Sequence, residues 1–522
     1  MKKMIMVLVA ALAFLTAIPA AHAGDDMCYE YVQQKQYDDA IRECTRQITG
    51  EIKMNNPEYS YNNRGNAYKN KGQYDLAIAD YTRALELDPN YAFAYHNRGI
   101  AWNAKKDYDR AIADYTKSIG LDPKYVNAYN NRGITYKNKG ENDLAIADYT
   151  KAVELDPKYT FAYNNRGAAW HAKKDYDRAI AEYDKAIELD PNYARAFNNR
   201  GIAWHAKKEY DRAIADYSKA IELDPKYVSA CNNRGITYTS KGQYDQAIAD
   251  YTKAIELDPN YTFAYNNRGR AWHSKKIYDR AIADYTKAIE LDPIYMNAYN
   301  NRGRTYYSKG QYDQAIADYT KAIELDPNSS DAFINRGHAY TDKGAYDPAI
   351  ADYTKAIELD TKDPAHYRSR GYVYQYKGQY DQAMADYARA IELDPKEEYG
   401  YIQLLSAIRL AKGNTAEAIE RLKQLIAANS SLEWVRTLSK YCIGIDKMTE
   451  QAVLAEARKG KDGKEVNERL CEAYYYMGVK RLAEGKKKGA AEYFTKSVET
   501  DVKDYVEYGF SKSLLERMKK GK

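Results

Sequence analysis

Asparagine recurs every 34 residues through the middle of this 522-residue chain, at Asn63, Asn97, Asn131, Asn165, Asn199, Asn233, Asn267, Asn301 and Asn335, with Ser369 closing the series. A side-chain amide carries two N–H donors and a carbonyl acceptor, so amides repeated at a fixed rise match the main chain of an extended polypeptide. A second asparagine often stands just before the first, as Asn62, Asn130, Asn164, Asn198, Asn232, Asn266 and Asn300. The other chemistry open to such a series is a hydrogen bond between neighbouring repeats, and the sequence leaves both readings standing. Four residues before each member the type varies: Tyr59, Phe93, Asn127, Phe161, Arg195, Ser229, Phe263, Asn297, Asp331 and Ala365. Three residues after it the series runs Asn66, Ile100, Ile134, Ala168, Ile202, Ile236, Arg270, Arg304, His338 and Tyr372. Phe93, Phe161 and Phe263 are candidate contacts for apolar side chains. Arg270 and Arg304 make a basic patch suited to a carboxylate or an acidic segment.

These residues need elements to hold them, and the glycines supply the register. Gly65, Gly99, Gly133, Gly167, Gly201, Gly235, Gly269, Gly303, Gly337 and Gly371 stand 34 apart without an insertion, which defines ten units over residues 58–397. Gapless repetition at this period means stacked units that cannot bury their apolar face alone. Within one unit, Tyr95, Gly99 and Trp102 fall at i, i+4 and i+7, one face of a helix; Ala111, Tyr115 and Ser118 do the same for a second. The asparagine series then lies at position six of each first helix. A mid-helix glycine costs about 1 kcal/mol relative to alanine, so its recurrence implies close approach of a neighbour. The alanine twelve residues on (Ala77, Ala111, Ala145) is the expected one. An aspartate two residues before that alanine (Asp75, Asp109, Asp143) is expected to cap the second helix. Pro348 would then take the first helical position. Segments such as Leu87-Asp88-Pro89 end each second helix.

Tyr95, Gly99, Trp102, Ala111, Tyr115, Ser118 and Pro123 together resemble the pattern of the tetratricopeptide repeat, and the other units match more closely. The resemblance implies an all-α, right-handed superhelical solenoid whose first helices line a concave groove that takes a protein or peptide. Asparagine ladders hold peptide main chain in some members of that family. One departure is systematic: arginine stands at position seven (Arg64, Arg98, Arg132 through Arg370), where the family usually has leucine, sixteen residues before an acid (Asp80, Asp114, Asp148, Glu182, Asp216 through Asp386). A bridge between the two helices of each unit is the expected role. Residues 24–57 read as a degenerate capping unit that sets Cys28 opposite Cys44. An oxidising compartment would join them in a disulfide; two buried thiols are the alternative. Residues 398–522 read as degenerate repeats with a closing helix near 505–520. Trp434, the run Cys471 to Gly478, and Tyr505 to Tyr508 resemble the end of the NlpI-type envelope lipoproteins, scaffolds that gather envelope enzymes, though the lipid-attachment site is missing.

Lys2 and Lys3, an apolar run from Met4 to Ile18, and Ala21-His22-Ala23 describe a secretory signal peptide cleaved after Ala23. The expected location is therefore periplasmic or secreted, with no stable membrane insertion. The formal net charge is only +5, which gives little long-range pull on nucleic acid. Residues 398–522 hold 24 Lys+Arg against 18 Asp+Glu, enough for weak contact with an anionic envelope polymer. His171, His205 and His273 share position twelve with no converging Cys or carboxylate set, so no metal is expected. Lys71 and its counterparts through Lys377 read as a solvated rim. There is no Gly-rich phosphate loop and no Ser/His/Asp set outside the register. The expectation is a non-catalytic scaffold or adaptor without cofactor. The alternative is a factor that guides polysaccharide through the same aromatic, amide-rich surface. The oddity left over is 55 Tyr against 8 Phe and 5 Trp.

Overall fold

The computed structural model describes residues 27–520 apart from 53–55, 396–397, 414–415, 417–418, 421–422, 425–432, 445–447 and 504. The expected signal peptide, residues 1–23, lies outside the described residues, as do Ala418, where residues 399–432 are expected to form a more apolar eleventh unit, and Ile445, about which two shorter helices are expected over 432–470 before the register returns at 471–504. Two compact units emerge, Met1–Leu257 and Asp258–Lys522. Among the described residues every regular element is an α-helix, and none is long and apolar enough to cross a membrane.

The first unit opens with Met27–Gln33 and Tyr37–Ile48 and continues through six helix pairs, from Pro57–Asn70 with Tyr74–Leu87 to Val228–Ser240 with Tyr244–Leu257. The second begins with Thr262–Ser274 and Tyr278–Leu291 and reaches its fourth pair at Pro364–Lys377 and Tyr380–Leu393. Within each unit the helices of a pair pack on each other, and each second helix packs on the next first helix. Each unit is thus an all-α solenoid of stacked helix-turn-helix pairs.

Tyrosine builds the core of every pair. Tyr81, Tyr115, Tyr149, Tyr183, Tyr217, Tyr251, Tyr285, Tyr319, Tyr353 and Tyr387 are among the largest fully buried side chains. A Cβ added at Gly133 would lie 2.7 Å from the Tyr149 ring, and each of the other nine first-helix glycines meets its own tyrosine the same way. The glycine therefore makes room for the tyrosine sixteen residues on, and the expectation of the alanine twelve residues on is corrected. A flat ring edge reaches into the notch that a methyl group cannot fill.

The turn inside each pair needs a left-handed residue at position fifteen. Glycine supplies it at Gly72, Gly140, Gly242, Gly310, Gly344 and Gly378, but Lys106, Lys174, Lys208 and Lys276 adopt it too, with φ of 60° to 63°. The second helices start two residues earlier than expected, at Tyr74, Tyr108 and their counterparts. Asp75 and its counterparts lie inside the first turn and are not caps. Where a side chain caps, it is Asp107 accepting from the Arg110 amide, or Asp175 from that of Arg178. Pro348 is accordingly the third residue of Tyr346–Leu359, still within the turn whose amides lack helical partners.

After Glu398–Leu410, the two short helices expected over 432–470 are Glu433–Ile443 and Glu450–Ala457. The next helix, Gly463–Ala483, starts well before the expected 471, because Asp462 caps it by accepting from the Glu465 amide. It packs on Lys487–Glu499 and on the closing helix Val506–Lys519. The closing helix is more than a polar cap. Phe510 and Leu514 are buried, Phe510 meets the Tyr376 ring at 4.5 Å, and Tyr376 Oη donates to the Val506 carbonyl at 3.1 Å. The helix covers Tyr372 and Tyr376 on the first helix of the tenth repeat.

Candidate functional site

First helices of successive repeats touch within each unit, and the asparagine series lies at that contact. Asn97 Nδ2 donates to Asn62 Oδ1 at 3.0 Å, Asn165 to Asn130 at 3.0 Å, Asn199 to Asn164 at 2.9 Å, Asn233 to Asn198 at 3.0 Å and Asn301 to Asn266 at 2.9 Å. The buried member of each pair passes the bond along: Asn130 Nδ2 reaches Asn131 Oδ1 at 3.2 Å, and Asn198 reaches Asn199 at 3.3 Å. The chain of amides ends where His96 replaces asparagine, with Asn131 Nδ2 2.9 Å from His96 Nε2 and Tyr125 Oη 3.1 Å from Nδ1. Burial, aided by Lys69, holds the His96 pKa down near 3. A neutral ring that accepts at Nε2 and donates from Nδ1 satisfies both neighbours. Each position-six amide has a second hydrogen that these inter-repeat bonds do not use. Asn63 is buried, and Asn267 and Asn335 are half-buried.

The recurring ions are consumed by the scaffold. Arg132 Nε and Nη2 meet Asp148 at 2.8 and 2.7 Å, and an arginine–carboxylate pair recurs in all ten repeats, with Glu182 taking the place of the aspartate opposite Arg166. The third nitrogen of Arg132 donates to Thr116 of the preceding repeat at 2.9 Å. Desolvation raises the Asp148 carboxyl, with Arg132 pulling it back. Lys139 bonds Asp109 of the preceding repeat at 2.7 Å, and Lys71, Lys105, Lys173, Lys207, Lys241, Lys309, Lys343 and Lys377 do likewise. The expected solvated lysine rim is therefore a second inter-repeat link.

Other expected contacts are spread more widely. Phe161 and Phe263 are 50% and 54% exposed, whereas Phe93 is half-buried. Arg270 and Arg304 are exposed, make no ion pair with a described residue, and both act on the Tyr285 phenol. At the same register position Ile134 packs on Ala145, Tyr149 and Ala169, and Tyr372 lies under the closing helix, so position nine is open only in part. His205 and His273 bond Thr237 and Thr305 through Nδ1 at 2.9 Å. No group of three metal-ligating side chains forms among the described residues. Trp102, Trp170, Trp204 and Trp272 are half-buried, with Arg110, Arg178, Arg212 and Arg280 lying 4.4 to 4.8 Å over their rings. Cys28 and Cys44 are joined, their Cα atoms 5.1 Å apart. The spacing argument does not single out Tyr91, Tyr125, Tyr159 and Tyr193, the residues that close successive repeats, although their recurrence every 34 residues was the available signal. They stand beside the position-two residues and form ring contacts with them.

An array of paired helices with a locked interior and a variable first-helix face is the architecture of a repeat protein that works by contact. Family models described as tetratricopeptide repeat match residues 58–91, 126–159, 194–227, 228–261, 262–295, 284–317 and 365–397. A model described as TPR repeat matches 103–140, 170–208, 303–343 and 337–378. The chain belongs to the tetratricopeptide repeat family, whose members bind protein or peptide partners. Among solved structures it is similar to MamA, 33% identical over 31% of this chain and 95% of that one, with a TM-score of 0.30. It is similar to YrrB, described as a TPR protein with an unusual peptide-binding site, at 27% identity over 37% of this chain and 97% of that one, TM-score 0.31. A tetratricopeptide repeat protein from Parabacteroides merdae is 20% identical over 48% of this chain and 98% of that one, TM-score 0.41. No curated protein matches.

Proposed function

We propose that this protein is an exported, non-catalytic adaptor that holds a protein or extended peptide on its first-helix face. One observation carries the reading. The recurring arginines, lysines and asparagines bond within the scaffold, while Phe161 stays open on a first helix of the first unit, and Phe263, Arg270 and Arg304 stay open on first helices of the second. An exposed ring contributes to stability mainly when something covers it, and an unpaired arginine offers a planar fork to a carboxylate. Export to an oxidising compartment is supported by the leader-like start and by the Cys28–Cys44 pair.

The test is a crosslinking pull-down from the periplasmic fraction. It compares the parent with a variant carrying Phe161→Ala, Phe263→Ala, Arg270→Glu and Arg304→Glu. These side chains are exposed, so the variant should keep the parental melting curve and lose the captured partners. Capture of the same partners by both proteins would refute the assignment of this face. Displacement of partners by neutral oligosaccharides at any salt concentration would favour polysaccharide handling.

A further inference from the structure

A column of rings runs along the starts of the first helices in the first unit. Tyr59 meets Tyr91 with centroids 5.1 Å apart, Tyr91 meets Phe93 at 6.4 Å, and Phe93 meets Tyr125 at 4.9 Å. Tyr159 Oη then donates to Asn127 at 2.8 Å, and Phe161 bridges Tyr159 and Tyr193 at 5.9 and 5.6 Å. Beyond Tyr193 stands Arg195, exposed and close enough to act electrostatically on the Tyr193 and Tyr227 phenols. It makes no ion pair with a described residue. Phe161 is half exposed and Tyr59 is exposed, so both offer ring surface to solvent, while Tyr91 and Tyr159 also pack on the buried residues beneath them. The Tyr91 and Tyr193 hydroxyls bond to no described residue.

The column has a period. Its tyrosines recur once per repeat, and packed helices stand on the order of 10 Å apart. A polyproline II segment rises about 3.1 Å per residue with three residues per turn, so one face returns every ~9.3 Å. An extended strand returns a face every two residues, about 6.6–6.8 Å, and falls out of step. Polyproline II also leaves its carbonyls without internal partners, ready for phenol donors, and is already ordered before it binds.

We propose that this column docks a proline-rich polypeptide segment in the polyproline II conformation, with an acidic side chain at the Arg195 end. The inference rests on the adaptor reading above and names the partner's conformation. Each turn lays an apolar edge on one ring, and the carbonyls that come opposite Tyr91 and Tyr193 accept from their hydroxyls.

The test is isothermal titration of the whole protein with a synthetic peptide of four Pro-Pro-Leu triplets ending in Glu. The same peptide with Gly for every Pro is the comparison. The proline form should bind at least tenfold more tightly. Phe161→Ala should weaken it at least tenfold without changing the melting curve. Arg195→Glu should abolish the preference for the Glu-ended over the Gln-ended peptide. Equal binding of the glycine form, or no effect of Phe161→Ala, overturns the inference and leaves the adaptor reading intact. Displacement by a neutral hexasaccharide overturns it in favour of a sugar surface. If neither peptide binds, the inference falls. A displayed library of random dodecapeptides then decides the adaptor reading, which falls too if nothing is enriched.

Discussion

Replacing Arg132 with leucine should show how much the repeated ion pair contributes. Arg132 reaches Asp148 through two nitrogens and Thr116 through a third, with side-chain exposures of 16% and 8% for the ion pair. Removing one partner of a well-buried pair costs about 3–5 kcal/mol, because the other charge stays buried and uncompensated. The guanidinium here keeps some water contact, so about 2–4 kcal/mol is the expectation. Removing both partners, as Arg132→Leu with Asp148→Leu, should cost no more than about 1 kcal/mol. The coupling between the two sites is then about 2 kcal/mol or more. Solenoids open locally, so the assay is native-state hydrogen exchange of Val126–Asn138 and Asn142–Leu155, with urea unfolding of the whole chain as a companion. pH supplies an internal control. Without Arg132 the Asp148 carboxyl loses the partner that lowers it, so its folded pKa rises further above the unfolded one. Such a group stabilises fully below the unfolded pKa and loses that contribution as pH rises through the folded value. The Arg132→Leu deficit should shrink on acidification toward pH 4. Unchanged exchange in the single variant, or a double variant as poor as the sum of its singles, would refute this account.

Gly133→Ala drives a methyl against the Tyr149 ring, 2.7 Å away, and should destabilise the first unit by about 1–3 kcal/mol, read as a lower urea midpoint. Lys106→Gly should stabilise the first unit by about 1 kcal/mol, read as a higher urea midpoint, since Lys106 holds φ 62° where six other repeats use glycine; no change would mean the lysine side chain compensates. Glu507 is buried beside Glu472 and accepts from Tyr476 Oη at 3.3 Å, and burial first, then the Glu472 charge, pushes its carboxyl up. A raised carboxyl stabilises at low pH and loses that contribution as pH climbs through neutrality, so melting of the second unit should fall between pH 5 and pH 9, and Glu507→Gln should flatten the fall.

Much of this was legible because one unit is written ten times. The 34-residue register placed both helices of each repeat, and the interval of sixteen between Arg132 and Asp148 placed the bridge. What stayed hidden were choices between neighbours of similar reach. Gly133 faces Tyr149 and not Ala145, which depends on ring shape and not on helical phase. The caps lay two residues before the position that Asp75 suggested, because the helix already begins at Tyr74. The Lys139–Asp109 link joins different repeats, and a spacing of 30 carries no periodic signature within a helix. Tyr91 and Tyr193 look like loop residues until Phe93 and Phe161 are seen beside them. The closing helix hid for another reason: Phe510 meets Tyr376 across more than a hundred residues of sequence, beyond any local pattern.

The links between repeats point to what fixes the spacing of the ring column. Arg132 to Thr116, Lys139 to Asp109 and Asn165 to Asn130 each step back by one repeat. Apolar packing alone tolerates sliding, because it is roughly proportional to area and has no direction. Arg132 and Lys139 tie one first helix to the second helix before it at two points, and Asn165 ties the next first helix to it; such bonds, repeated along the unit, define one offset, and that offset sets the interval between tyrosines such as Tyr159 and Tyr193. The asparagine series then bears on recognition even without touching a ligand. An Asn165→Ala change should move both the melting temperature and the affinity for a partner, since it loosens the interval. Phe161→Ala should move the affinity alone. If instead Asn165→Ala lowered affinity at an unchanged melting temperature, the amide itself would be the contact, and the ladder would bind main chain directly through its unused hydrogen.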